Sequence, residues 1–273
     1  MSEGRRQVSV FRVSADGSAQ VPDVAAVEEP LEIRIHDRPF AVIMRTPGAD
    51  RHLAAGFLLA EGLIGRADDL GAVEHCRHPD HPDAHNIVNV FLLGEAATAL
   101  PQKLSERRNV VTNSSCGICG RVTIESIRRR AAPVASTTTL NRDQVVALPV
   151  SLRARQELFD DTGALHAAAV FEPSGACIAM AEDVGRHNAV DKVIGDLLLQ
   201  ERLPLTGCAL AVSGRASYEI VQKAWLGGLE IVTAVSAPSS LAIDLAVEAG
   251  ITLIGFAREH GFNVYCHPER IGL

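Results

Sequence analysis

The last third of the chain alternates between two hydrophobic periods, and that alternation constrains the fold more than any other feature. Ala209 to Ser213 reads as a strand, and Tyr218 to Leu226 as a helix stopped by Gly227-Gly228. Glu230 to Val235 reads as a second strand, Ser239 to Glu248 as a second helix stopped by Gly250, and Ile251 to Phe256 as a third strand. Parallel strands cannot be joined by a hairpin. Each needs a crossover, which a helix supplies with right-handed sense. A further short strand is expected over Phe262 to Cys266. The composition suits helices packed on a mostly parallel sheet: 47% of residues are hydrophobic and only 4% aromatic, so aliphatic side chains fill the core.

Upstream the pattern is shorter-ranged. Residues 1 to about 25 are small and polar and read as a tail or a loose first strand. Leu31 to Ile35 alternates with period two, Asp37-Arg38-Pro39 is a turn, and Phe40 to Met44 is a returning strand. Asp50 is expected to cap a helix reaching about Glu61, with Gly62 as its stop. Asn86 to Leu93 reads as another strand. Asp143 to Asp160 reads as helical, with Pro149 placed to kink or split it. Ala164 to Phe171 and Ala176 to Ala181 read as a hairpin, followed by a helix from about His187 to Gln200. The chain therefore divides into a polar tail (1–25), an N-terminal α+β part (26–135) and an α/β part (136–273).

The formal net charge is −7, which argues against a general nucleic-acid-binding surface. Lys103, Arg107, Arg108, Arg121, Arg128, Arg129 and Arg130 form a local basic exception, most simply solvated helix faces. Six cysteines make no tidy disulfide framework, and Cys177 and Cys208 lie in apolar runs, as inert core thiols would. No apolar run reaches the roughly 18 residues of a membrane span, and no signal-like segment opens the chain, so a cytoplasmic location is expected. His75 to His85 holds four histidines and Cys76, but its prolines and aspartates mark a solvated loop and its spacings match no standard metal site.

The run Thr112-Asn113-Ser114-Ser115-Cys116-Gly117-Ile118-Cys119-Gly120 places two thiols among Gly and Ser. If a helix starts at Arg121, its N-terminus favours thiolate. Zinc would need a second close pair, which is missing. A thioredoxin-like site would follow a first strand, not lie a hundred residues into the chain. A base deaminase would show His-x-Glu ahead of its Cys pair. Here His166-Ala167-Ala168 lacks the Glu and follows the pair. A persulfide carrier fits better, since it requires an accessible thiolate with reach.

Ligands in such sheets bind beyond the carboxyl ends of the strands. Ser213-Gly214-Arg215, Ser236-Ala237-Pro238 and Phe256 to Gly261 occupy those ends. Two lead into helix N-termini suited to phosphate, and Arg215 and Arg258 can fork onto phosphate or a guanine edge. Glu182-Asp183-Val184-Gly185-Arg186-His187-Asn188 carries more polar groups than a cap requires, which suggests a site role.

These segments together resemble the formate dehydrogenase accessory sulfurtransferase family, FdhD. The likeness runs through Arg45-Thr46-Pro47-Gly48, Ser114 to Gly120, Thr162 to Ala168, Glu182 to Lys192, Ser213-Gly214-Arg215 and Ser236 to Ser240. It implies a cytidine-deaminase-like three-layer α/β core with a mixed sheet, beside a smaller β-rich N-terminal part. It implies a sulfurtransferase that takes persulfide sulfur from a cysteine desulfurase on Cys116, with Cys119 as its partner. The acceptor would be the molybdenum or tungsten bis(molybdopterin guanine dinucleotide) cofactor of formate dehydrogenase, with no permanent metal and with GDP able to substitute. The cofactor-binding segment would be Phe256, Ala257, Arg258, Glu259, His260 and Gly261, joined on the residue reading by Ser213, Arg215 and Ser236. A homodimer is implied, with no nucleic acid or membrane partner. The different-class alternative is a non-enzymatic cofactor chaperone; a dithiol redox protein is a third.

Overall fold

The computed structural model describes residues 4–76, 83–105, 132–134 and 138–272. Chain order begins with a ribbon, β1 (Arg5–Ser14) paired antiparallel with β2 (Gly17–Ala26). The stretch read as a tail or loose strand is thus two strands joined by an Ala15-Asp16 turn, and the Asp16-Gly17 dipeptide was the available signal. Next come β3 (Glu29–Ile35), β4 (Arg38–Arg45), α1 (Asp50–Ala60), β5 (Leu70–His75), β6 (Ile87–Leu92) and α2 (Gly94–Ser105). The strands form a four-stranded sheet in the order β4-β3-β6-β5, in which only β3 and β6 are parallel.

The second part holds β7 (Leu140–Asn141), α3 (Arg142–Arg153), α4 (Glu157–Thr162), β8 (His166–Phe171), β9 (Cys177–Asp183) and α5 (Arg186–Leu199). It continues with β10 (Ala209–Val212), α6 (Tyr218–Leu226), β11 (Ile231–Ala234), α7 (Ser240–Ala249), β12 (Thr252–Arg258), β13 (Gly261–Cys266) and β14 (Ile271–Gly272). Six of these strands make a mixed sheet, β13-β12-β11-β10-β8-β9. The expected three parallel strands are β10, β11 and β12, joined by α6 and α7.

Period-two alternation divides this sheet between two cores. Ala167, Ala169, Phe171, Ala209, Ala211, Ile231 and Ile254 face α3, packing on Val145, Leu148 and Leu152. Ala168, Val170, Leu210, Val212, Val232 and Leu253 face the opposite way, into a cluster with α5, α6 and α7. Helix, mixed sheet and helix give the layered α/β core that was expected. The second cluster continues through α1 to Leu31, Ile33 and Val88 of the four-stranded sheet.

Two local expectations need correction. Asp50 is the first residue of α1, not its cap. The cap position is Ala49, in the left-handed region at φ 56° with no side-chain cap, and the Asp50 carboxylate is taken by Arg45. Pro149 does not split its helix. It lies within α3, and the break comes after Arg153, where the backbone tightens before α4. A proline removes one backbone donor, a cost that burial of the Leu148 and Leu152 face offsets.

Candidate functional site

The polar run after β9 builds a bracket of buried charge. Asp183, wholly buried, accepts from Gly185 N and Asn188 Nδ2 on one oxygen. On the other it accepts from Thr46 N at 3.2 Å and pairs with Lys192 Nζ at 2.8 Å. Lys192 also donates to Thr46 O, and Asn188 to Met44 O. One turn on, Asp191 pairs with Lys223 of α6 at 2.5 Å. Glu182 reaches the other way. Its two oxygens accept from Leu158 N and Phe159 N, the free donors of the first turn of α4. The density of polar residues that suggested a site role here serves largely to fasten three layers together. Asn188 belongs to that bracket.

His187 is buried with Nε2 3.2 Å from Ser217 Oγ and 3.7 Å from Glu219. Burial, reinforced by Lys223, lowers its pKa to about 4 despite Glu219, so the ring is neutral near pH 7. His166 opens β8 and is also pushed down, by burial first and then by the Arg186 guanidinium, with Asp183 opposing.

The carboxyl ends of β10, β11 and β12 lie side by side, and their loops are laced by the backbone. Ser236 N donates to Gly214 O, Phe256 N to Ser236 O, and Ser239 N to Ala216 O. Phe256 adopts φ 53°, a left-handed kink that ends the regular part of β12. Gly255 just before it is confined: a Cβ there would stand 2.9 Å from both Pro238 and Tyr265.

A cavity of about 730 Å³ opens at this edge, within the range of small-molecule sites. Of the residues expected to bind a ligand, Ser213, Ala257, Arg258 and Glu259 line it. Ser213 Oγ accepts from Ala167 N, which leaves the hydroxyl proton to donate. Arg258 is exposed and has no ion pair among the described residues, nor has Arg215. Arg215, Ser236, Phe256, His260 and Gly261 flank the cavity without lining it. Phe256 is 43% exposed.

The opposite wall was not foreseen. It consists of the end of α3, the start of α4 and the approach to β8, including Leu152, Arg153, Gln156, Phe159, Leu165 and His166. The Arg153 guanidinium lies over the Phe159 ring at 4.9 Å. Leu152 and Phe159 were readable as inner residues, but nothing local said that they faced a sheet end.

Cys116 and Cys119 lie outside the described residues, as do His78, His81 and the basic residues from Arg107 to Arg130. Lys103 is spent structurally, donating to Gly62 O and Leu63 O beyond the end of α1. Burial raises the pKa of Cys177, Cys208 and Cys266, as inert thiols require. Among the described residues no helix is long and apolar enough to cross a membrane.

A crystal structure of a formate dehydrogenase accessory protein from Desulfotalea psychrophila superposes over 98% of this chain and 100% of its own, with TM-score 0.76 and 24% identity. That likeness establishes the fold. Curated relatives named sulfur carrier protein FdhD match far more closely in sequence. The protein of Mycolicibacterium paratuberculosis is 46% identical over 272 residues, 98% of each chain. That of Streptomyces avermitilis is 45% identical over 267 residues, covering 97% of this chain and 94% of its own. The FdhD/NarQ family model matches residues 26–272, which takes in both sheets, the buried bracket and the sheet-end cavity, and the chain belongs to the FdhD/NarQ family.

Proposed function

We propose that this protein is a sulfurtransferase serving formate dehydrogenase, in which Cys116 carries persulfide sulfur from a cysteine desulfurase to a bound molybdenum or tungsten bis(molybdopterin guanine dinucleotide) cofactor. The Cys116 thiolate attacks the outer sulfur of the donor persulfide. A new S–S bond forms on Cys116, and the donor's own cysteine leaves as thiolate, so no external oxidant is consumed. Cys119, three positions on in the sequence, assists release. The cofactor is cargo, held at the sheet end.

The observation that carries this reading is the family membership, with relatives named as sulfur carriers, joined to a cavity whose lining suits a guanine nucleotide. Ser213 offers a hydroxyl donor and Arg258 an uncommitted guanidinium, while the α3–α4 wall is apolar enough to take a flat ring. The family resemblance supports a homodimer acting in the cytoplasm. Incubation with a desulfurase and cysteine should add one sulfur atom to the intact mass. Cys116→Ala should abolish the gain; its persistence in that variant would defeat the assignment.

The same sheet-end cavity supports one second reading, a chaperone that holds the cofactor without moving sulfur. Under that reading Cys116→Ala would still activate formate dehydrogenase.

A further inference from the structure

The bend between α3 and α4 presents a polar side chain to the sheet-end cavity. Gln156 is 3% exposed and lines the sheet-end cavity. Its backbone is fully engaged, N–H to Arg153 O and C=O from Asp160 N. Its carboxamide, in contrast, has no hydrogen-bond partner among the described residues. Neither amide atom is among the buried unsatisfied polar atoms, so both reach the cavity surface, where water or a ligand can meet them. The lining around it is mainly aliphatic and aromatic: Pro149, Leu152, Phe159, Leu165 and Ala257. The space that Gln156 lines, and into which its amide can turn for a partner, is the cavity.

A carboxamide presents one acceptor and two donors in a plane. It therefore pairs with a flat ring that offers an adjacent N–H and C=O: the amide oxygen accepts from the ring N–H, and the amide nitrogen donates to the ring carbonyl. Guanine has this edge, and so does the 2-amino-4-oxo ring of a pterin. We propose that Gln156 is the group that reads the amino-oxo edge of the bound ring, which lies between the apolar walls with its charged end toward Arg258 and Ser213. This rests on the nucleotide reading of the cavity and adds to it, on the opposite wall, a group that both donates and accepts, which neither Arg258 nor the Glu259 carboxylate of the sheet-end loop can do. The bracket through Glu182 holds the reader in place. Its two bonds to Leu158 N and Phe159 N fix the start of α4 immediately after Gln156.

The test uses the full chain with two probes, GDP and pterin-6-carboxylate, whose separate affinities distinguish a guanine from a pterin as occupant. Binding is measured by calorimetry on wild type, Gln156→Leu and the near-isosteric Gln156→Met, with the thermal midpoint of each unliganded protein. The variants should bind the preferred probe roughly tenfold to a hundredfold more weakly, the loss expected when one hydrogen-bonded edge is removed. Their unliganded midpoints should match or exceed that of wild type, because an amide with no partner among the described residues has been replaced by an apolar group on a mainly apolar wall. Undiminished affinity in both variants overturns the assignment. So does a lowered unliganded midpoint in both, which would make the amide structural. If wild type binds GDP and the variants bind it equally, only the reader falls. If wild type binds neither probe, the nucleotide reading falls with it. The persulfide assay on Cys116 stands apart from all of these outcomes.

Discussion

Helices α1 and α5 cross at a pair of glycines, and a single methyl group there should be among the most damaging small changes in the molecule. A Cβ on Gly195 would stand 1.9 Å from His52 O and 2.6 Å from Gly56 N; on Gly56 it would stand 2.0 Å from Asp191 O. Side-chain carbons do not approach closer than 3.0 Å, so the helices must part by about 1.1 Å. A gap of that size forfeits a quarter to a half of each contact's attraction along the crossing. Overpacking of this kind costs about 1–3 kcal/mol or more, and backbone cannot rotate aside as a side chain would. Against this, alanine is the better helix former by about 1 kcal/mol. The same crossing carries Asp191, Lys192 and Asn188, whose buried partners tolerate little displacement. We expect a net loss of about 2 kcal/mol for Gly195→Ala. At about 2–4 °C per kcal/mol, the midpoint should fall by roughly 4–8 °C. Scanning calorimetry reads it directly. Gly56→Ala should behave alike, and the double variant should cost less than the sum, because one retreat accommodates both methyls. A Gly195→Ala protein that melts at or above wild type would show that helix propensity wins and that the crossing is not close-packed.

Two buried groups should impose opposed pH slopes. Burial, opposed by Lys223, raises Asp191 to about 6 from 3.8, so from about pH 4 to 6 the folded state holds the extra proton and stability falls as pH rises. His187 is lowered to about 4 from 6.5, so from about pH 4 to 6.5 the unfolded state holds the extra proton and stability rises with pH. Urea midpoints of Asp191→Asn should therefore climb more steeply with pH than those of wild type, and those of His187→Gln less steeply; parallel profiles would contradict the shifts. Glu182→Gln leaves one oxygen for two backbone donors. It should cost about 1 kcal/mol and weaken GDP binding by loosening α4, measured by melting and calorimetry on the same samples. Arg258→Ala should weaken GDP binding about tenfold, since a charged hydrogen bond is worth about 1.5–3 kcal/mol, whereas Arg215→Ala, outside the cavity lining, should change it little. Equal effects would mean that the cavity is not where the phosphates lie.

Much of the site's scaffold was legible because it depends on local period. The β10-α6-β11-α7-β12 run needed only alternating apolar residues and the glycine stops, and its strand ends were predictable because every parallel crossover returns to the same edge. Ser213, Ala257, Arg258 and Glu259 were placed on that edge and do line the cavity. The far wall was not legible. Gln156 lies in an ordinary-looking helical stretch, and what singles it out is a place on the cavity wall with no side-chain partner among the described residues, a property of the folded neighbourhood. In the run from Glu182 to Asn188, the two carboxylates are structural, for the complementary reason. A carboxylate that caps α4 and one that pairs with Lys192 look, in a string of letters, like groups awaiting a ligand.

By itself, then, the chain's order of residues determined the layered α/β plan, the edge where ligands should gather and the family to which it belongs, since each rests on spacing between near neighbours. Tertiary structure alone decided which polar groups are spent on holding layers together and which are left over. That partition depends on Thr46 meeting Asp183 across 137 residues, and on Glu182 meeting the start of α4. A polar group's role is set by whether a partner reaches it when water is excluded, and sequence distance does not record which partners arrive.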